Sequence, residues 1–112
     1  MNRRDWLLLF LSPDTPKNRS LDPIRIMKGL FLTSQEDGIE LGYTFEPYHY
    51  GPCSFDVYKD LNQLVAEGLV EEIPVPGQTW NLYAPTSSGV ERAKSLEVPQ
   101  SAIEKLSNQR NH

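Results

Sequence analysis

Apolar residues recur at three- and four-residue spacing between residues 54 and 68, which indicates an amphipathic helix with one buried face. Ser54 is a suitable N-cap, and Gly68 stands where a helix commonly closes in a left-handed conformation. The buried face of this predicted helix consists of Val57, Tyr58, Leu61, Leu64 and Val65.

Two strand-like runs follow this helix. Residues 69–75 and 78–83 contain alternating β-formers, and Pro76-Gly77 marks a turn between them. A fourth helix begins at Thr86 or Ser87 and runs to about Leu96. The sequence therefore predicts a helix, a hairpin and a helix in direct succession.

The first predicted helix covers residues 2 to about 12, and its run Trp6 to Leu11 has no polar face. Such a helix must be covered on several sides, either by the C-terminal helices or by a second copy of the chain. A polar loop over residues 12–20 follows, and Asp22 then caps a second helix with Pro23 in its first turn. Arg25 and Lys28 should point outward from this helix, whose buried face we predict to be Ile24, Ile26, Met27, Leu30 and Phe31.

Residues 43–50 are predicted to form a short extended segment, which Pro47 confines to an edge. Residues 101 to about 109 form a last short helix with Ala102, Ile103 and Leu106 inward, and we expect the polar tail 107–112 to fray. This order is that of an α+β winged helix-turn-helix, with a three-helix core, a β-hairpin wing and C-terminal helices. We place the winged-helix domain at residues 1–98 and a C-terminal helical extension and tail at residues 99–112.

Two stretches resemble known winged-helix proteins. Tyr83-Ala-Pro-Thr-Ser-Ser-Gly89 resembles the Tyr-x-Leu-Thr-x-x-Gly phrase that closes the wing in many bacterial regulators, with Pro85 at the leucine position. The stretch Phe45-x-Pro-x-x-Tyr-Gly-Pro-x-Ser-x-x-Val-Tyr-x-x-Leu61 is similar to the Tyr-Gly-Pro segment of small prokaryotic winged-helix proteins and of the Panacea-type antitoxin-associated domain. The resemblance implies regulation through DNA or protein contacts rather than catalysis.

The net charge of −4 over 112 residues is unevenly distributed. Residues 1–34 contain six basic and three acidic side chains, whereas residues 35–112 contain five basic and twelve acidic ones. An anionic partner should therefore prefer the N-terminal part, where the cations form either one patch or separate solvated charges. These N-terminal cations are Arg3, Arg4, Lys17, Arg19, Arg25 and Lys28.

Two functions remain open from the sequence. In a DNA-binding regulator the third helix enters the major groove, with Lys59, Asn62 and Gln63 on the duplex and Arg19, Arg25 and Lys28 on phosphates. The alternative is a protein-interaction module without DNA binding, because the predicted outward face carries three carboxylates against one cation and the wing is uncharged. That outward face comprises Phe55, Asp56, Lys59, Asp60, Asn62, Gln63 and Glu67.

We also expect a homodimer, with an interface drawn from the apolar faces of the first and last helices: Trp6, Leu7, Phe10, Ile103 and Leu106. Cys53 is the single cysteine, and a structural role is favoured over a nucleophile–base pair with His49. The chain has no metal-ligand spacing and no phosphate-binding glycine loop. We therefore expect no enzyme activity, catalytic residue, metal or cofactor. The longest apolar run is too short to span a bilayer, so we expect no membrane partner and a cytoplasmic protein.

Overall fold

The computed structural model describes residues 1–12 and 20–110. The described part is a mixed α+β structure in which five helices accompany two antiparallel hairpins, and it confirms the predicted α+β class. Its elements in chain order are α1 (Arg3–Leu11), α2 (Pro23–Glu36), β1 (Glu46–Tyr48), β2 (Gly51–Cys53), α3 (Phe55–Ala66), β3 (Val70–Pro74), β4 (Asn81–Pro85), α4 (Ser87–Ser95) and α5 (Gln100–Arg110). Most of the predicted polar loop, including Lys17 and Arg19, lies outside the described residues.

The apolar helix α1 is covered by its own chain. It packs against α2, α3, α4, α5 and β4, so the C-terminal helices supply part of the cover that its apolar surface requires. The ring of Phe10 lies so close to Gly29 that a Cβ atom on Gly29 would overlap it. The glycine therefore allows α1 and α2 to approach closely.

This packing changes the basis for the predicted dimer interface. Leu7, Phe10 and Leu106 are 0%, 1% and 3% exposed within the single chain, and all three belong to its hydrophobic core. These side chains are not accessible to a second copy of the chain. The prediction that they form a dimer interface is therefore wrong, and they belong to the core. Trp6 and Ile103 are half-buried. The homodimer itself stays a prediction.

The predicted hairpin after α3 is confirmed. Gly68 closes the helix with a φ of 77°, and β3 pairs with β4 from Val70↔Pro85 to Pro74↔Asn81. The Thr86 hydroxyl accepts a hydrogen bond from the Gly89 N–H at 3.0 Å and donates one to the Gly68 carbonyl at 2.7 Å. A Cβ atom on Gly89 would overlap the Leu69 carbonyl, so this position requires glycine. Thr86 and Gly89 together fix the start of α4 against the end of α3.

The segment before α3 differs from its prediction. Residues 46–48 do not form a lone edge, because they pair with residues 51–53 in a short hairpin. Gly51, with a φ of 116°, makes the tight reversal possible. Ser54 precedes α3 as predicted, but its side chain makes no capping hydrogen bond. Its backbone N–H instead donates to the Met27 sulfur at 3.4 Å, which joins the start of α3 to α2.

Helix α5 packs on α2 and continues further than expected. Leu106 belongs to the common core, and Gln109 and Arg110 are buried, so the prediction that the chain frays from residue 107 is wrong for residues 107–110. Ile24 was placed on the buried face of α2 but is half exposed. Both differences concern the groove between α2 and α5 described below.

Candidate functional site

Asp60 is the residue of α3 whose burial differs most clearly from its prediction. It was predicted to face outward, but it is 2% exposed and accepts hydrogen bonds from two distant residues. The Arg3 Nε lies 2.8 Å from Asp60 Oδ2, and the Arg3 Nη2 lies 3.4 Å from Oδ1. The Tyr43 hydroxyl donates to Oδ2 at 2.7 Å, and the Arg3 guanidinium lies 5.5 Å from the centre of the Tyr43 ring. Asp60 therefore ties α3 to α1 and to the loop before β1.

The other two carboxylates on this side of α3 are paired as well. Asp56 lies 3.0 Å from Arg3 Nη1, and Glu67 lies 2.7 Å from Arg4 Nη1. Two consequences follow. Arg3 and Arg4 are committed to α3, so they do not form a free basic patch with the cations of α2. The acidic charge that was expected to repel an anionic partner is largely neutralised within the chain.

The outermost strip of α3 carries no carboxylate. Phe55, Lys59, Asn62 and Ala66 follow one another at four- and three-residue spacing, so they share one helical face, and all four are exposed. Gln63 is exposed beside them. Lys59, Asn62 and Gln63 are thus exposed on α3 as the DNA-binding prediction requires.

Four exposed aromatic side chains surround the β1–β2 hairpin and the first turns of α3. Tyr50 is 81% exposed, Phe55 66%, Tyr48 59% and Tyr58 39%. The rings of Tyr48 and Phe55 meet edge to face with their centroids 6.2 Å apart. We call Tyr48, Tyr50, Phe55 and Tyr58 the aromatic surface.

A shallow groove lies on each side of the β1–β2 hairpin. One is lined by Tyr48, Tyr50 and Tyr58 of the aromatic surface together with Ile24 and Met27 of α2. The other, of about 340 Å³, is lined mainly by apolar and aromatic side chains, namely Phe31, Phe45, Pro47, Tyr48 and Pro52, with Glu46 at its border. The aromatic surface therefore continues into apolar depressions on both sides.

The predicted phosphate contacts on α2 lie in a different setting. Arg25 and Lys28 are exposed and line a groove between α2 and α5 together with Arg110. Burial, followed by the neighbouring charge of Arg25, lowers the pKa of Arg110 to about 10. This arginine gave no signal in the sequence, because the residues around it are polar and typical of a frayed end.

The β3–β4 hairpin presents an uncharged tip. Residues 73–81 contain no ionisable side chain, and Trp80 is exposed there. At the base of the hairpin, Glu72 accepts hydrogen bonds from Asn81 at 2.7 Å and from the Tyr83 hydroxyl at 3.1 Å. Desolvation, aided by that hydrogen bond, raises the pKa of Tyr83 to about 12.

The residues considered for catalysis are placed as follows. Cys53 is half-buried and packs against the hydrophobic core, while the His49 ring stacks edge to face on Tyr48 with centroids 5.6 Å apart. Within residues 1–12 and 20–110, no three His, Cys, Asp or Glu side chains are grouped so that they could hold a metal ion. In the same ranges, no helix has the length and apolar character needed to cross a membrane.

Comparison with known proteins adds no assignment. The sequence matches neither a model of a protein family nor a curated protein. The candidate site is therefore defined by its own geometry: an aromatic surface, a carboxylate-free strip on α3 and a cationic groove between α2 and α5.

Proposed function

We propose that this chain is a winged-helix protein that acts by binding another protein through its aromatic surface. The winged-helix assignment is supported by the order of α1, α2 and α3, followed directly by the β3–β4 hairpin and α4. The helix that would serve as the recognition helix is α3, and the hairpin after it would be the wing.

The exposure of the aromatic surface carries the proposal. Large contiguous apolar patches are uncommon on monomeric proteins and commonly mark interaction sites. Tyrosine and phenylalanine are enriched at protein interfaces, and tyrosine is among the residues that dominate binding energy. Tyr50 and Phe55 expose most of their side chains.

The sequence resemblance points to the same segment. The Tyr-Gly-Pro stretch, which resembles a segment of the Panacea-type antitoxin-associated domain, lies in the β1–β2 hairpin, where Tyr48 and Tyr50 are exposed. A partner protein whose activity is regulated by this contact would agree with the resemblance. The uncharged hairpin tip offers no cation to a phosphate backbone, which weighs against DNA as the partner without placing the tip in the protein contact.

A DNA-binding regulator is the second candidate, and one observation favours it. Arg3 and Arg4 neutralise the carboxylates of α3, which leaves an exposed strip with Lys59 and Asn62 and no acidic side chain. Such a strip can approach a duplex, although it contributes only one cation to phosphate neutralisation.

The proposed function is tested by photo-crosslinking in cells from two positions. A photoreactive residue replaces Tyr50 on the aromatic surface, or Trp80 at the hairpin tip as the matched exposed aromatic. We expect a discrete protein adduct from position 50. The purified partner should then bind the Tyr50→Ser/Phe55→Ser variant at least about tenfold more weakly, as loss of central aromatic contacts does at other interfaces.

The control variant Trp80→Ser should leave that affinity nearly unchanged. Two results would contradict the proposal: no protein adduct from position 50, or a partner that binds the double variant as tightly as the original chain.

A salt titration with random duplex DNA tests the second candidate. A DNA-binding chain should bind at low salt and weaken steeply as salt increases, and Lys59→Gln should reduce both the affinity and the slope. Lys94→Gln, an exposed cation on α4, is the matched control. Absence of binding at low salt would remove this candidate and leave the protein-binding proposal unaffected.

A further inference from the structure

The groove between α2 and α5 collects positive charge. It has a volume of about 210 Å³ and is bordered by cations from both helices. Its lining combines Arg25, Lys28 and Arg110 with Gln109 and two apolar side chains, Ile24 and Leu32. We call it the cationic groove.

Arg110 is the unusual member of this groove. It is 7% exposed, and its Nε and Nη2 atoms are buried with no hydrogen-bond partner among the described residues. A guanidinium carries five N–H donors and remains charged at neutral pH. Buried charges in proteins are normally paired, because an isolated one loses its hydration without compensation.

The nearby carboxylates do not fill this need. Glu36 and Asp37 accept hydrogen bonds from the Gln109 side-chain amide at 3.2 and 3.3 Å. Neither of them lines the groove, and no other acidic residue of the described chain does. Burial is the main cause that lowers the pKa of Arg110. The second cause is the charge of Arg25, which has the same sign as that of Arg110.

We propose that the cationic groove binds a small molecule through an oxyanion group, either a carboxylate or a phosphate. A guanidinium presents its donors in a fork that matches two oxygens of such a group, and Arg110 would thereby gain the counter-ion that residues 1–12 and 20–110 do not provide. Arg25 and Lys28 at the border add attraction, and Ile24 and Leu32 supply apolar walls for a short hydrocarbon portion.

The volume limits the size of the ligand. The groove is partly open to solvent and has a volume of about 210 Å³. It therefore suits a single oxyanion with a few carbon atoms. This inference does not depend on the proposed function, because it involves none of the four residues of the aromatic surface.

The test is a titration of the whole chain with two probes, inorganic phosphate and butyrate, each compared with chloride at equal ionic strength. Binding is followed through the Arg110 Nε–H resonance and through the midpoint of thermal unfolding. We expect a saturable shift of that resonance and a rising midpoint with at least one probe and not with chloride. The probe that saturates at lower concentration identifies the preferred oxyanion.

Three variants and one control locate the effect. Arg110→Met removes the reporting resonance, so it is followed through the midpoint of thermal unfolding, which should no longer rise with either probe. Arg25→Gln and Lys28→Gln change exposed side chains, so they should fold normally and weaken binding about tenfold, which is typical for the loss of one charged contact. Lys105→Gln removes an exposed cation of α5 that does not line the groove, and it should have no effect.

Three results would overturn the inference. The first is no saturable response to either probe up to about 10 mM, a weak affinity for a small ligand. The second is an equal response to chloride, which would indicate screening of charge alone. The third is a response that survives Arg110→Met or is the same in Lys105→Gln as in Lys28→Gln.

Discussion

Asp60 and Arg110 are both charged side chains that the fold removes from water, but they differ in the partners that surround them. Asp60 on α3 receives hydrogen bonds from Arg3 and Tyr43. Arg110 at the end of α5 has two buried nitrogen atoms that find no partner in the described part of the chain, and a second arginine lines the same groove. The paired charge of Asp60 acts as a structural tie between distant parts of the chain. From the charge of Arg110, which the described residues do not pair, we infer a ligand site. The following predictions test whether this contrast holds.

The largest effect on stability is expected when the paired charge of Asp60 is removed. Asp60→Ala leaves the Tyr43 hydroxyl and the Arg3 guanidinium without their shared acceptor, and it should lower the free energy of unfolding by about 3 kcal/mol. Urea denaturation measures this loss. Asp56→Ala removes a carboxylate that also pairs with Arg3 but is about half exposed, so it should cost less than about 1 kcal/mol. Equal losses in both variants would show that burial of Asp60 contributes nothing.

A smaller loss is expected from Tyr43→Phe. This change removes one donor to Asp60 and keeps the ring beneath Arg3, so Asp60 retains its pairing with the arginine. The free energy of unfolding should fall by about 1–2 kcal/mol, as for one hydrogen bond to a charged group. In the double variant Asp60→Ala/Tyr43→Phe, the second change should cost much less than it does alone. Additive losses would mean that the two groups do not interact.

High pH should weaken the fold through Tyr43 and Tyr83. Burial raises the pKa of Tyr43, and its hydrogen bond to Asp60 raises it further, while the pKa of Tyr83 is raised to about 12. In the unfolded chain both tyrosines release their protons near pH 10. Their contribution to stability is therefore complete below about pH 10 and is lost as the pH rises toward the folded values. Urea denaturation at increasing pH should show this fall, and Tyr43→Phe should make it shallower; an unchanged slope would contradict the role given to Tyr43.

The smallest expected change has the opposite sign. In buffer without phosphate or carboxylate, Arg110→Met removes a buried charge that the described chain does not pair. The free energy of unfolding should stay the same or rise by up to about 1 kcal/mol, because methionine fills similar space without a desolvation penalty. Lys105→Met, an exposed change on the same helix, provides the reference. A clear loss of stability in Arg110→Met alone would mean that the chain already provides Arg110 with a counter-ion.

Local signals predicted the central part of the fold. The end of α3 at Gly68, the turn at Pro76-Gly77 and the cap at Thr86 each depend on residues that are neighbours in the chain. Turn and cap preferences therefore identified this part correctly. The β1–β2 hairpin was missed because Gly51 can either end an element or reverse the chain, and the sequence alone does not separate the two.

The burial of Asp60 and Arg110 could not be predicted from such local signals alone. Asp60 lies three residues after Val57 and four before Leu64, so helical spacing does place it on the buried face. It was predicted to be exposed because its partner Arg3 is 57 residues away in the chain. Burial of Arg110 depends on how α5 lies across α2, and no periodic pattern near residue 110 indicates that packing. The exposure of the aromatic residues around the β1–β2 hairpin is likewise a tertiary property.

The Thr86 hydroxyl, which is hydrogen-bonded to both Gly68 and Gly89, has a mechanical consequence for the hairpin. It holds the root of the hairpin to the end of α3, so a swing of the hairpin relative to α3 must break the hydrogen bond from Thr86 to the Gly68 carbonyl. The hairpin and α3 are therefore expected to move together as one rigid unit.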